Sequence, residues 1–322
     1  MTTQEIDQAK AEAFAGKMLG VLNNASTALA VSVGHRTGLF DQMAGMQPAT
    51  SEQVAQAAGL TERYVREWLN GMVVGGIVAY DPGAGTYVLP PEHAAATTRA
   101  AGPGNLAEFM QFIAMLGTVE DGIVQAFKEG GGVPYSGFGQ FTTLMAENSA
   151  SRFDLNLVET QIPLVPGIVP RLDEGIDVAD MGCGSGHAIN LMAGQWPNSR
   201  FTGFDFSEEG IAAARKEANT GGLANAFFEV ADIPAIEGGD RFDLVTTFDA
   251  VHDQADPAGM LATVSRVLRA DGHYLCADIA AATDVGGNLD HPLGPFGYSV
   301  SMFHMHDGLA CSGRGRPRVN VG

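Results

Sequence analysis

The feature that most constrains the fold is an alternation of strand-like and helix-like segments after Pro170. Short apolar runs typical of buried strands are separated by stretches whose apolar residues recur at helical spacing. The strand-like runs are GIDVADMG, RFTGFDFS, AFFEVADI, RFDLVTTFDAV and GHYLCADIA, and the helical ones are AINLMAGQW, EEGIAAARKEA and AGMLATVSRVL. This order predicts an α/β fold with a doubly wound parallel sheet, whose ligands bind beyond the carboxyl ends of the strands.

The first hundred residues have a different pattern. Residues 9–45 predict two helices, the second with an apolar stripe through Leu29, Val33, Leu39 and Phe40. TSEQVAQAAGL and TERYVREWLNGMVVGGIV then begin with helix caps, and VAYDPGAGTYVLP alternates around a turn. Helix, helix and hairpin indicate a winged helix, which we assign to residues 1–100. That segment holds six Lys and Arg against nine Asp and Glu, so it lacks the basic surface of a DNA reader.

Charge, cysteine content and apolar runs limit the classes of binding partner and the cellular compartment that the sequence predicts. The chain of 322 residues has 18 Lys and Arg against 37 Asp and Glu, a net charge of −19 that disfavours nucleic acid and anionic membranes. Three scattered cysteines are typical of reduced thiols in a cytoplasmic protein. The polar start MTTQEIDQAKAEAF lacks a signal-peptide pattern, and no apolar run reaches the roughly 20 residues that span a bilayer.

Residues 101–165 are predicted to form a helical linker, interrupted by the glycine-rich and aromatic stretch KEGGGVPYSGFGQF. Soft and aromatic side chains in this region suit a pocket for a flat apolar substrate. The candidates are Met110, Met115, Tyr135, Phe138, Phe141 and Met145. Ordinary packing between helices would use the same residue types, so both interpretations stay open.

The segment DVADMGCGSGHAINLMA places three glycines, Gly182, Gly184 and Gly186, between a predicted strand and a predicted helix. Glycine loops of this kind approach nucleotides closely. The loop follows an acid, Asp180, and has no P-loop lysine. These features favour a cofactor with a cationic or zwitterionic part over a polyphosphate.

Two further acids follow the next strands. Asp205 ends the second strand, where a carboxylate can accept both hydroxyls of a ribose. Asp232 follows the third strand and could accept from an adenine amino group, with Ile233 against the ring. A sulfonium nucleoside that carries an amino acid answers this description.

The segments VADMGCGSGHAINLMA, FTGFDFSEE, EVADIP, FDLVTTFDAVHD and VSRVLRADGHYLCADI resemble, in order and spacing, the motifs of class I S-adenosylmethionine-dependent methyltransferases. The winged helix extends the resemblance to small-molecule O-methyltransferases, in which that domain dimerises and closes the substrate pocket. The resemblance implies a methyltransferase domain over residues 166–282, S-adenosylmethionine as cofactor, a small-molecule acceptor and a homodimer.

The resemblance also implies site residues. In such enzymes an H-D-x-x-D stretch supplies the base that deprotonates the acceptor hydroxyl, and DAVHDQADP matches it with His252, Asp253 and Asp256. Imidazole titrates near working pH, and a positioned base contributes roughly 10²- to 10⁴-fold. Alternatively, His252 caps a helix or supports its neighbours. The candidate catalytic residues are His252, Asp253 and Asp249, and the candidate cofactor-binding residues are Asp180, Gly182, Cys183, Gly184, Gly186, Asp205, Phe206, Asp232, Ile233 and Phe248.

The segment 283–322 is predicted to be irregular. Methyltransferases of this class follow the fifth strand with a helix and an antiparallel hairpin, but HDGLACSGRGRPRVNVG has no alternation, so we expect the hairpin to be missing. A frameshift from about residue 305 is our hypothesis. One permitted back-translation from Met305, read one base later, gives CMTVSLARGGAGLGSTWG, which resembles the C-terminal continuation of related proteins. Resequencing the locus tests it. The histidines of this segment and Cys311 lack zinc-ligand spacing, so no metal is expected.

The sequence therefore predicts a methyltransferase that modifies a small, hydroxylated apolar acceptor, with His252 as candidate general base. It leaves open the identity of the acceptor and the atom that is methylated. Two alternatives remain: a DNA-binding regulator that senses the cofactor, and a methyltransferase remnant impaired by the lost hairpin.

Overall fold

The computed structural model describes residues 6–133, 137–139, 141–252, 254 and 256–304. The chain divides into two compact units, Met1–Gly117 and Thr118–Gly322.

The first unit is mainly helical and contains the winged helix. Its elements are α1 (Gln8–Arg36), α2 (Leu39–Met43), α3 (Ser51–Ala58), α4 (Glu62–Val74), β1 (Ala79–Asp81), β2 (Thr86–Val88), α5 (Pro91–Thr97), a 3-10 segment (Arg99–Gly104) and α6 (Leu106–Gly117). The strands β1 and β2 pair antiparallel. Helices α3 and α4 followed by this hairpin confirm the predicted winged helix.

Local sequence signals fix these elements. Thr50 and Gln53 form a reciprocal capping box at the start of α3, so two N–H groups that the helix leaves unpaired find acceptors. Trp68 of α4 donates from Nε1 to the Ala30 carbonyl of α1 at 2.8 Å and packs edge-on against Phe40, with 5.1 Å between ring centroids. The buried aromatic pair holds the first two helices against the winged helix.

One local prediction in this unit is wrong. Helix α1 runs unbroken to Arg36, and Gly38 then turns the chain with φ +73° before the short α2 begins. Only glycine enters this left-handed region readily. The predicted stripe is therefore split: Leu39 and Phe40 are buried, whereas Leu29 and Val33 are about half exposed.

The second unit is an α/β domain. Its elements are α7 (Glu120–Glu129), α8 (Phe141–Asn156), a π-helical turn (Leu157–Gln161), a 3-10 turn (Ile162–Leu164), α9 (Ile168–Glu174), β3 (Asp177–Met181), α10 (His187–Gln195), β4 (Arg200–Asp205), α11 (Glu208–Thr220), β5 (Ala226–Val230), a 3-10 turn (Ile233–Ala235), β6 (Phe242–Phe248), α12 (Pro257–Val267), β7 (Leu268–Ala277), a 3-10 turn (Gly286–Asn288) and α13 (Gly294–His304). The strand order is β5-β4-β3-β6-β7, and all neighbours are parallel. This confirms the doubly wound sheet.

The chain reverses its direction of winding between β3 and β6, which are neighbours in the sheet. In an open parallel sheet this switch point leaves a crevice at the carboxyl ends of the strands. At the opposite ends, Asp243 accepts hydrogen bonds from Arg171 at 2.8 Å and from Arg269. These ion pairs fasten α9 and the start of β7 to the start of β6, at the end of the sheet opposite the crevice.

Within the described residues, β7 forms one edge of the sheet, and α13 follows it without a further strand. The segment predicted to be frameshifted, from about residue 305, lies outside the described residues. None of the described helices combines the length and the apolar character needed to span a membrane.

Candidate cofactor and active site

The carboxyl ends of the parallel strands bring the predicted cofactor residues to one edge of the second unit. β3 runs into the glycine loop, β4 ends at Asp205, and Asp232 follows β5. On the other side of the switch point, Asp249 follows β6 and Asp278 follows β7. Parallel strands end at the same edge of a sheet, so the residues that sequence places far apart share one crevice.

The three loop glycines serve two purposes. All have positive φ, +80° at Gly182, +53° at Gly184 and +74° at Gly186. A Cβ on Gly182 would lie 2.6 Å from Ala250 Cβ, and one on Gly186 would lie 2.4 Å from Ala214 Cβ. A Cβ on Gly184 would meet nothing within 4 Å. The outer glycines thus permit packing, whereas the middle one borders open space where a ligand can lie.

The loop uses most of its backbone N–H groups internally. Four of its amides donate to protein acceptors: Gly182 and Cys183 to the Phe204 carbonyl at 2.8 and 3.0 Å, Gly184 to Asp205 Oδ2 at 2.9 Å, and Gly186 to the Cys183 carbonyl at 2.8 Å. A phosphate-binding loop offers its amides to the ligand instead. This loop is therefore ill suited to a polyphosphate.

Two buried carboxylates stand beside the loop. Asp180 is 2% exposed, and its Oδ1 accepts a hydrogen bond of 2.8 Å from the Thr246 hydroxyl. Burial raises the pKa of Asp180 to about 7. Burial also raises the pKa of Asp205, although the amides of Ser207 and Gly184 oppose the shift by donating to its carboxylate. Ionised carboxylates are costly to bury without a partner, so this edge favours a cationic ligand.

The remaining predicted cofactor residues surround these acids. Asp232 is exposed next to the buried Ile233, and Phe206 is 63% exposed directly after Asp205. Burial raises the pKa of the Cys183 thiol well above its usual value, which keeps this cysteine a protonated, unreactive part of the loop.

The candidate base has a partner that the motif did not reveal. His252 Nδ1 forms a hydrogen bond with Asp278 Oδ1, and Asp278 also accepts from the Ile279 amide at 2.7 Å. A carboxylate acceptor pairs with the form of the ring that carries a proton on Nδ1. Asp256 instead caps α12 by accepting from the Gly259 amide at 3.0 Å. Asp253 lies outside the described residues.

Helix α8 faces the end of β6. Arg152 forms an ion pair with Asp249, which has the unusual φ of +50° for a residue other than glycine. Phe153 packs edge-on against Phe248, with ring centroids 5.0 Å apart. Asp249 and Phe248 thus contact side chains that sequence reasoning missed.

The sequence carries a signal for one of the missed residues, Asp278, but not for the other, Arg152. An acid immediately after the fifth parallel strand was a signal for Asp278, because Asp205 ends β4 and Asp249 follows β6 at the same edge of the sheet. Arg152 is a lone arginine in a helix and carried no such signal.

The predicted substrate-pocket residues are divided between the two units. Met110 and Met115 belong to α6 of the first unit, half-buried and buried. In the second unit Phe138 is buried and Met145 is half-buried on α8. Phe141 begins α8, and Tyr135 lies outside the described residues. The shared pocket stays a prediction.

A five-stranded parallel sheet with a glycine loop after its central strand and an acid at the end of the next is an arrangement that class I methyltransferases share with dinucleotide-binding folds. Comparison with known proteins agrees. Residues 172–291 match a methyltransferase domain family, and residues 25–99 match the Rv2258c-like winged helix-turn-helix domain. The chain therefore combines an Rv2258c-like winged helix-turn-helix domain with a methyltransferase domain, as its motifs predicted.

Individual relatives are distant. The fatty-acid O-methyltransferase of Mycolicibacterium smegmatis is 30% identical over 112 residues, 35% of this chain and 40% of that protein. The chain thus matches well under half the length of this curated relative. Human N-acetylserotonin methyltransferase, solved with S-adenosylmethionine, has a TM-score of 0.65 at 16% identity, over 96% of this chain and 89% of the human one. An O-methyltransferase family protein from Burkholderia thailandensis has a TM-score of 0.61 at 16% identity, over 92% and 87%. These structures share the fold.

Proposed function

We propose that the protein transfers a methyl group from S-adenosylmethionine to a hydroxyl of a small apolar acceptor. The observation that carries this proposal is the combination of a glycine loop with internally paired amides and two buried carboxylates, Asp180 and Asp205. A dinucleotide would need free loop amides for its phosphates. A nucleoside with a sulfonium and an ammonium group needs acids instead.

The side chains offer a role for each part of this cofactor. Asp205 would accept from the ribose hydroxyls, with Phe206 beside it. Asp180 would attract the ammonium group from beneath the loop, and Gly184 would leave room for the ligand at its surface. Asp232 and Ile233 would receive the adenine. When bound, S-adenosylmethionine supplies a methyl group on a positively charged sulfur, which an oxygen nucleophile can attack.

His252 is the proposed general base. With its Nδ1 held by Asp278, its Nε2 can take the proton of an acceptor hydroxyl, and the resulting imidazolium is stabilised by the same carboxylate. Asp249 is engaged by Arg152, so its proposed contribution is to position the strand end beside His252 rather than to move a proton.

The acceptor is proposed from the character of the pocket candidates. Methionine and phenylalanine side chains contribute adaptable apolar surface, which suits a flat or lipid-like molecule with one hydroxyl. The name of the mycobacterial relative refers to fatty acids, so a fatty acid is a second acceptor class to screen.

The first unit is proposed to bind a second copy of the chain rather than DNA. Helix α1 exposes Phe14, Met18 and Leu22 at helical spacing, each at least half exposed, and exposed apolar patches of this kind mark protein interfaces. On α4, Arg63 pairs with Glu67 at 3.1 Å, so its charge is offset on the helix that would read DNA.

Two measurements test the proposal. Calorimetry should detect binding of S-adenosylhomocysteine to the full-length protein, and Asp205→Ala should weaken it. A screen of hydroxylated aromatic and fatty-acid acceptors with methyl-labelled cofactor should then give labelled product. Absence of binding to S-adenosylhomocysteine, together with binding of NAD, would overturn the proposal.

A further inference from the structure

The imidazole of His187 bridges two other helices. Its Nδ1 lies 2.6 Å from Glu217 Oε1 on α11, and its Nε2 lies 2.8 Å from Asp154 Oδ1 on α8. His187 is the first residue of α10, directly after the glycine loop. The candidate site does not use this residue, yet it links the loop to α8.

The bridge requires a fully protonated ring. Ionised carboxylates accept hydrogen bonds and cannot donate them, so both ring nitrogens must carry a proton to serve both partners. The hydrogen bond to Glu217 is the main cause that raises the pKa of His187, and it lowers the pKa of Glu217 in turn. Among the described residues, the charged groups that act on His187 are Glu217 from α11 and Asp154 from α8.

One end of the bridge is fixed. Glu217 Oε2 accepts a hydrogen bond of 3.0 Å from the side-chain Nδ2 of Asn190. Asn190 lies one turn along α10 from His187 and is 5% exposed. Both oxygens of Glu217 are therefore engaged, and its position between α10 and α11 is determined. The imidazole thus contacts Asp154 through one nitrogen while Glu217 holds the other.

The other end reaches the crevice through consecutive residues of α8. Arg152 pairs with Asp249, Phe153 packs on Phe248, and Asp154 meets His187. This short stretch joins the end of β6 to the start of α10, on the two sides of the glycine loop.

We propose that His187 is a positioning residue: by bridging Asp154 and Glu217 it clamps α8 to the glycine loop, and this clamp strengthens the hold on the cofactor. The proposal rests on the proposed function, because it concerns the same site. The clamp is complete while His187 is charged and loses its second hydrogen bond when the ring deprotonates.

The test uses full-length protein with three variants. His187→Gln keeps an amide donor but cannot bridge both partners. Asp154→Asn removes the negative charge of the partner on α8 and leaves His187 and Glu217 unchanged. Glu159→Gln is the matched control, because it removes one negative charge from an exposed position just after α8. Hydrogen exchange of residues 150–156 reports the docking of α8, and calorimetry with S-adenosylhomocysteine reports the hold on the ligand.

For Asp154→Asn we expect exchange of α8 to quicken and the ligand to bind more weakly, each by about two- to fivefold, the factor for a partly exposed ion pair. His187→Gln should have a larger effect, and Glu159→Gln none. In the wild type, the protection factors of α8 should fall as the pH rises through the pKa of His187, and in His187→Gln they should fall less.

Unchanged exchange of α8 in Asp154→Asn, or a pH dependence in His187→Gln as large as that of the wild type, would overturn the clamp. Should His187→Gln fail to fold, Asp154→Asn decides alone, since Asp154 is half exposed. Should the wild type not bind S-adenosylhomocysteine, the proposed function fails, and exchange of α8 still decides whether the clamp exists.

Discussion

Thr246 donates a 2.8 Å hydrogen bond to a carboxylate, Asp180, that is almost wholly buried at the end of β3. The hydroxyl stabilises the ionised form of Asp180, whereas burial destabilises it more strongly and raises the pKa to about 7. The charge of Asp180 changes in the pH range in which a cationic ligand would bind.

The first prediction concerns this pH dependence. Because a bound ammonium or sulfonium group favours the ionised acid, affinity for S-adenosylmethionine should rise as the pH increases through about 7, with release of a proton on binding. Titration calorimetry at pH 6 and pH 8, in buffers of different ionisation enthalpy, measures both. Asp180→Asn should bind more weakly at pH 8 and show no proton release. Equal affinity of the wild type at the two pH values would contradict this.

The same group affects stability. The folded pKa of Asp180 lies above its ordinary value of 3.8, so the folded state holds a proton that the unfolded state has lost. Unfolding free energy should therefore fall between pH 4 and pH 7 from this group alone. Denaturation of Asp180→Asn, which cannot ionise, should show a smaller fall over this range than the wild type.

The second prediction separates two acids at the edge of the sheet. Asp205→Ala should weaken S-adenosylhomocysteine binding by roughly 1.5 to 3 kcal/mol for each lost charged hydrogen bond. It should also lower stability, because the amides of Gly184 and Ser207 lose their acceptor. Asp232→Ala is the matched comparison: Asp232 is exposed, so affinity should fall without a change in stability. Unchanged affinity in Asp205→Ala would reject the assignment.

The sequence predicts secondary structure and strand order, which follow from local patterns, better than it predicts contacts between residues far apart in the chain. The alternation of strand-like and helix-like segments predicted the parallel sheet, and its strand order brings the glycine loop and Asp205 to one edge. The end of α1 was mispredicted, since continuous helical spacing across Gly38 conceals a turn that only the backbone angle reveals.

The contacts within the site were less predictable. Arg152 and His187 pair with acids 97 and 30 residues away, and neither spacing nor residue type marks such pairs. Asp256 illustrates the reverse case: it lies within a catalytic-looking motif, yet its carboxylate caps α12. Motifs identify which residue types are present, whereas the packing of α8 against the sheet decides what they touch.

The third prediction contrasts two glycines of the loop. Gly184→Ala and Gly186→Ala both place a side chain at positive φ, which costs about 1 to 2 kcal/mol. Only Gly186→Ala also drives its Cβ into Ala214 and Phe228, so urea denaturation should show a further loss of about 1 to 3 kcal/mol. Gly184→Val should carry at least the same cost of positive φ and should also lower cofactor affinity. Equal stability of the two alanine variants would show that the loop packs differently.

The fourth prediction concerns oligomeric state. If α1 packs against a second copy, Leu22→Glu should convert a dimer to a monomer, because burying one such side chain stabilises an interface by about 1.5 to 3 kcal/mol and a buried unpaired charge opposes it. Asn23→Glu, on an exposed neighbouring residue, adds the same charge as a control. Light scattering measures the mass. A wild-type monomer, or a Leu22→Glu dimer, would contradict the interface.

The last prediction addresses the base. His252→Ala should lower kcat by roughly 10²- to 10⁴-fold and leave the affinity for S-adenosylhomocysteine intact, because the imidazole acts on the acceptor and not on the cofactor. Activity of this variant should partly recover as the pH approaches the pKa of the acceptor hydroxyl, which then ionises unaided. Asp278→Asn should lower kcat less, since it removes only the group that orients Nδ1 and stabilises the imidazolium. The control is Asp256→Ala, which removes the cap of α12: it should lower stability by about 0.5 to 2 kcal/mol and leave the pH profile of kcat unchanged. A His252→Ala enzyme with full activity at neutral pH would instead assign this histidine a supporting role at the end of β6.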